Sequence, residues 1–152
     1  MKVAFAADDA NECVDAVRNY LDAEHRLDVV TVEPWPVMSK AVAQAVVDGR
    51  CDVGVLMCWT GTGTAIAANK VPGIRAATVW DAWIARGARL WNDANVIALS
   101  LKRLSPDVAV ECVKAFLDQR DADPDEAENI RLLTDADPPG PNNDHDSPAG
   151  GA

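Results

Sequence analysis

The segment "LMCWTGTGTAIAANK", residues 56–70, gathers the groups best suited to chemistry. Cys58 leaves an apolar run and is followed at once by Trp59, Thr60 and the Gly61-Thr62-Gly63 turn. Gly61 and Gly63 permit positive φ and close backbone approach. A segment running from a strand end into a helix start aims backbone N–H groups and the helix dipole at one point, where a negative oxygen can be received. The same field favours a thiolate on a neighbouring cysteine. A thiolate beside an oxyanion pocket suits proton abstraction next to a carbonyl, with the developing enediolate held in place. The plainer alternative is a tight strand-to-helix turn over a core cysteine. The segment is neither a GxGxxG fingerprint nor a P-loop, since Ile66 stands at the third glycine position and no Lys follows Gly63.

Cys13, Cys51 and Cys112 fall in apolar helix or strand patterns and are expected in the core. The four cysteines form no CxxC pair, and His25 and His145 are the only histidines, so no metal site is expected.

The elements that must carry this loop follow from the apolar patterning. "KVAFAA", "LDVVTVE", "DVGVLMC", "IRAATVW" and "NVIAL" read as strands. Helices are expected over 11–24, from Pro36 to Gly49, and over 63–70, 81–90, 106–119 and 124–133. Strict strand–helix alternation predicts an α/β fold, a three-layer Rossmann-like sandwich around a five-stranded parallel sheet. In such sheets ligands bind at the carboxyl ends of strands. That places Asp8-Asp9, Glu33–Pro36, Cys58–Gly63 and Trp80–Asp81 at one rim, and "RLWNDAN" (89–95) at the other end.

The chain of 152 residues is read as one domain over 1–134, followed by a disordered acidic, Pro/Gly-rich tail over 135–152. From Leu117 onward there are ten acidic and two basic residues, so that part carries −8 of the net −10. No basic stripe is left to hold nucleic acid. There is no apolar run of membrane-spanning length and no signal-peptide pattern, so a cytoplasmic protein is expected.

"GVLMCWTGTGTAIAANKVPGIRA" and "ARLWNDANVIALS" together resemble the ribose-5-phosphate isomerase B and galactose-6-phosphate isomerase family, over roughly residues 1–133. The resemblance implies aldose–ketose isomerisation of a sugar or sugar phosphate through a cis-enediolate, without metal or organic cofactor. It implies a homodimer, or a tetramer built on it, with active sites between subunits. Residue by residue it makes Cys58 the base and gives the enediolate oxygens to the loop of Thr60, Gly61 and Gly63. It makes Asp8 a binder of substrate hydroxyls and Asn92 a contribution from the partner chain.

Departures from the family pattern cluster at the site. Asp9 stands where the family has His, Trp59 where it has Gly, Trp91 where it has the His tied to ring opening, and Trp35 where it has Tyr. Asp125–Asn129, "DEAEN", occupies the span in which the family carries phosphate-gripping Arg residues. Lys102 and Arg103 remain as candidate substrate contacts, and Arg86, Arg89 and Arg131 as compensating cations. Two or three tryptophans, Trp59 and Trp91 among them, are expected to line one narrowed pocket, with Trp83 packed into its helix. Asp9 could replace the missing acid if crowding by Asp8 raised its pKa. The reading is therefore an isomerase of altered specificity with a weakened phosphate requirement. The alternatives are a silent sugar-binding or regulatory member of the fold, or a related epimerase.

Overall fold

The computed structural model describes residues 1–135; the expected disorder of the tail lies outside them. Five strands are present: β1 (Lys2–Ala7), β2 (Arg26–Val29), β3 (Val53–Cys58), β4 (Ala76–Thr78) and β5 (Val96–Ser100). They alternate with α1 (Glu12–Glu24), α2 (Trp35–Val47), α3 (Thr62–Ala68), α4 (Ala82–Asn92), α5 (Pro106–Asp118) and, after a 3-10 turn at Pro124–Glu126, α6 (Ala127–Asp135). All strand pairs are parallel, in the order β2-β1-β3-β5-β4. The expected α/β sandwich is found.

Each helix lies on the face that a right-handed crossover requires. The chain moves one way from β2 to β3 and from β3 to β4, and α2 and α3 cover one face, around Val42, Leu56 and Ala68. It moves the other way from β1 to β2 and from β4 to β5, and α1 and α4 join α5 on the opposite face, around Val17, Val55, Ile97 and Phe116. β3 and β5 are buried along their whole length, which is why their sequences are unbroken apolar runs rather than alternations.

Helix ends follow local chemistry. Asn11 caps α1 by accepting from Val14 N–H, and Asp81 caps α4 by accepting from Ile84 N–H. Ser105 caps α5 ahead of Pro106, and Gly49 at φ 70° closes the turn after α2.

Three expectations are corrected. "LDVVTVE" and "IRAATVW" pair only over Arg26–Val29 and Ala76–Thr78, because each lies at a sheet edge with one neighbour to define it. "RLWN" is not loop: α4 continues through Asn92 and stops at Asp93, whose φ of 45° is left-handed. Trp83 is not buried by its helix: it meets Trp91 edge-on and stays 67% exposed.

The connections leaving β1 and β3 diverge to opposite edges of the sheet. A crevice therefore opens at the carboxyl ends of these two strands, where Asp8 and Cys58 stand.

Candidate active site

Backbone hydrogen bonds tie the rim together. Asp8 N–H donates to Met57 O at 3.1 Å, Leu101 N–H to Cys58 O at 2.9 Å, and Ser100 Oγ–H to Trp59 O at 2.6 Å. Cys58 is thus fixed where β1, β3 and β5 end. Cys58 is 6% exposed, so all four cysteines are buried, Cys58 with the three expected in the core. What separates Cys58 is its surroundings. Gly61 N–H donates to its Sγ at 3.1 Å, and Thr64 Oγ1 lies 3.4 Å away.

Gly61 can face the sulfur because its φ is 78° and it carries no side chain. A Cβ there would stand 3.0 Å from the backbone carbon of Leu99. Thr64, on the first turn of α3, is fully buried and donates to Gly61 O at 3.2 Å, and Thr78 Oγ1–H donates to the same carbonyl at 3.4 Å. The sequence reading missed Thr64. Its only signal was a lone hydroxyl among the small apolar residues that follow Gly63.

A pocket of about 370 Å³ opens over the sulfur, lined by Asp8, Trp35, Cys58, Trp59, Thr60, Thr62 and Gly63. Trp35 packs so closely on Gly63 that a Cβ at that glycine would stand 3.2 Å from the indole. Thr60 and Thr62 share a hydroxyl–hydroxyl bond of 2.8 Å at the mouth. Asp8 and Cys58 are the only acid–base groups on this lining. A larger cleft of about 560 Å³ adjoins it toward β2, with Asp8 and Trp35 on its wall as well.

The two carboxylates behave oppositely. Burial, aided by the charge of Asp9, raises the Asp8 carboxyl above its ordinary value. Hydrogen bonds from Ala10 N–H and from the Trp59 indole hold the exposed Asp9 carboxyl below its own. The expectation of a raised Asp9 is overturned: crowding acts on the more buried partner. Asp9 instead accepts Trp59 Nε1–H at 3.0 Å, and Lys102 Nζ lies 3.6 Å from the same oxygen and 4.7 Å from the Trp59 ring centroid. Arg103 sits on the same turn, exposed, its N–H held by Ser100 Oγ.

Trp91 and Asn92 are not brought to this pocket within one chain. They occupy the last turn of α4, three residues before Asn95, whose carbonyl accepts Gly54 N–H near the start of β3; Cys58 ends that strand. Trp91 folds back over Gly87 and meets Trp83 edge-on, with ring centroids 5.3 Å apart. Of the expected tryptophan lining, Trp35 and Trp59 are in place within one chain, and Trp91 stands with Asn92 at that chain's other end. The cations of α4 are also spoken for. Arg86 donates to Gln119 Oε1, and Arg89 donates to the carbonyls of Ala94, Gln119 and Arg120. Arg131 pairs with Glu128. The acidic span 125–129 lies beside the end of α4, where Asp123 N–H donates to Leu90 O.

No group of three or more His, Cys, Asp or Glu among the described residues is arranged to hold a metal. No helix among them is long and apolar enough to cross a membrane.

Solved structures share this α/β sandwich. Ribose-5-phosphate isomerase B of Clostridium thermocellum superposes with a TM-score of 0.83 at 30% identity, covering 89% of this chain and 96% of that one. The type B enzyme of Trypanosoma brucei superposes with a TM-score of 0.75 at 35% identity, covering 90% and 98%. The chain belongs to the Ribose/Galactose Isomerase family, which it matches over residues 3–133. Among relatives, a D-erythrulose-4-phosphate isomerase of Pectobacterium atrosepticum is 44% identical over 84 residues, a stretch that spans 55% of each chain. D-erythrulose-4-phosphate isomerase 2 of Mycolicibacterium smegmatis is 33% identical over 129 residues, covering 77% of this chain and 84% of that one.

Proposed function

We infer that the protein is an aldose–ketose isomerase acting through a cis-enediolate on a short sugar phosphate that stays open-chain in water. The observation that carries this is the pocket over Cys58, in which a cradled sulfur and Asp8 are the only acid–base groups.

Cys58, as thiolate, takes the proton from the carbon next to the carbonyl. The former carbonyl oxygen is left negative, as an enediolate. Asp8 carries the proton of the neighbouring hydroxyl across to that oxygen, and Cys58 returns its own proton to the neighbouring carbon. Both groups end as they began. The Thr60–Gly63 loop stabilises the negative oxygens of the intermediate, which is where such a loop contributes most to rate. A pocket with two acid–base groups needs no third if the sugar is not a ring. A four-carbon ketose or aldose phosphorylated at its last carbon has no free hydroxyl placed to close a five-membered ring. The absence of histidine from the lining and the tetrulose-phosphate specificity in two relatives' names both support that substrate.

The placement of cations supports a phosphate. Lys102 and Arg103 stand at the pocket end of the sheet. A second copy of the chain, supplying Asn92 across an interface, completes the site in this reading.

The test is hydrogen exchange at carbon 2 in deuterated water with D-erythrulose 4-phosphate and, separately, its dephosphorylated form. Exchange and turnover of the phosphorylated tetrulose are expected. Binding without exchange would instead make the chain a sugar-binding member of the family.

A further inference from the structure

Trp59 is the residue directly after the proposed base, and it is 59% exposed, yet its indole does not hang free. Its Nε1–H donates to Asp9 Oδ2 at 3.0 Å, and Lys102 Nζ bridges to the same carboxylate oxygen at 3.6 Å while lying 4.7 Å from the ring centroid. Each contact suits its atoms. An indole N–H is a donor only, a carboxylate is its strongest ordinary acceptor, and an ammonium favours the face of a Trp ring. The three residues come from the ends of β1, β3 and β5, so the clamp is anchored to three strands. The facing wall is equally set, since Trp35 lies against Gly63 with no room for a Cβ between them. Between the two indoles is the pocket of about 370 Å³, near the lower limit for small-molecule sites.

We propose that Trp59, pinned by Asp9 and Lys102, is the chain-length selector of this site: it stops the pocket after a four-carbon sugar phosphate and excludes longer and cyclic ones. The proposal rests on the isomerase reading above. Asp9 acts here through Trp59 and is a positioning residue; the indole meets the substrate. A mobile Trp would swing aside for a larger ligand, whereas one held at both its edge and its face makes every added carbon push against a fixed wall. One methylene more or less in a hydrophobic pocket is discriminated by about tenfold to two-hundredfold, which sets the scale for a fixed indole wall.

The test compares kcat/KM for D-erythrulose 4-phosphate and D-ribose 5-phosphate in the full chain and in Trp59→Gly, Trp59→Phe, Asp9→Ala, Asp9→Asn and the Asp9→Ala/Trp59→Gly double variant. Trp59→Gly is expected to move the ratio toward the pentose by about tenfold or more. Asp9→Ala moves it the same way by less, with Asp9→Asn closer to the parent because a carboxamide oxygen still accepts the indole N–H. In the Trp59→Gly background Asp9→Ala adds nothing, which a merely structural Asp9 would not satisfy. Trp59→Phe, which keeps the ring but loses the donor, falls near Asp9→Ala. A ratio unmoved by Trp59→Gly, or an Asp9→Ala effect that persists without Trp59, overturns the selector while leaving the isomerase reading intact. A parent chain that turns over neither sugar phosphate overturns both.

Discussion

The two ends of the sheet are built on opposite principles. At the amino end, around the last turn of α4, nearly every polar group is paired with another. Arg75 donates to both the carbonyl and the carboxylate of Asp93, Arg89 reaches Asp93 and three carbonyls, and Asn95 bonds Arg75 and Gly73. At the carboxyl end, the sulfur of Cys58, the Asp8 carboxyl and the hydroxyls of Thr60 and Thr62 face a pocket with capacity to spare. A saturated network stabilises the fold and has nothing left with which to bind. A cradle that holds donors toward open space is available for a substrate and contributes less to folding. A charged residue near a family motif therefore says little until its partners are known: Arg89 is spent on backbone carbonyls at the amino end, whereas Lys102 holds Asp9 and Trp59 beside the pocket.

The largest separation of the two ends should come from Cys58→Ser. It is expected to lower kcat by about a hundredfold or more with little change in unfolding midpoint, since it removes the proposed base and keeps the side-chain shape. Alkylation sharpens it. Burial pushes the Cys112 thiol up to about 11 and also raises Cys13 and Cys51, so iodoacetamide at neutral pH should mark Cys58 first by mass spectrometry. Equal labelling of all four thiols would place the base elsewhere.

Arg89→Met should do the reverse. Its guanidinium side chain is only 12% exposed, and its loss leaves three carbonyls and part of Asp93 without a donor. A cost of about 3 kcal/mol in urea unfolding is expected, with kcat of the folded fraction nearly unchanged. A loss of activity without loss of stability would show that the amino end is catalytic in its own right.

Asn92→Ala tests the proposed dimer, which would join the two ends. Asn92 is exposed on one chain and is proposed to complete the other chain's pocket. Activity should fall about tenfold, the order expected for losing a hydrogen-bonding contact to the substrate, while the unfolding midpoint holds. Mixing Asn92→Ala with Cys58→Ser chains should recover activity, because a mixed dimer contains one site with both native residues; no recovery would confine each site to a single chain.

Asp8→Asn is the smallest effect on folding and the most informative in sign. A carboxyl raised in the folded state binds its proton more tightly there than when unfolded, so its contribution to stability is full below the unfolded pKa and is lost as pH rises through the folded one. The Asn variant should melt slightly above the parent at pH 7 and match it in acid, while losing turnover. Equal melting at both pH values would mean that Asp8 is not perturbed.

The element order, both faces of the sheet and the thiol-bearing turn were legible in the sequence, because they rest on local patterning. Continuous apolar runs such as "VGVLMC" mark strands covered on both sides, and the turn at Gly61 needs a residue without a side chain. Strand ends were less legible. β2 and β4 are shorter than their apolar runs, since an edge strand extends only as far as its single neighbour pairs with it. Thr64 was missed because one hydroxyl in a small-residue helix has no pattern of its own until the helix turns it toward Cys58.

What the sequence determined by itself was the family, the fold and the position of Cys58, all encoded by neighbours in the chain. Which carboxyl is raised and which is lowered, which tryptophans line the pocket of one chain and which arginines are spent on structure were decided only by the tertiary fold. Asp8 and Asp9 are adjacent and chemically identical, yet one is raised by burial and the other lowered by an indole fifty positions away. Trp59 and Trp91 both sit inside strong motifs, yet one walls the pocket and the other lies on Gly87 at the far end of the sheet. Such differences arise from contacts between residues remote in sequence, which local spacing does not record and which desolvation and hydrogen bonding settle once the strands are side by side.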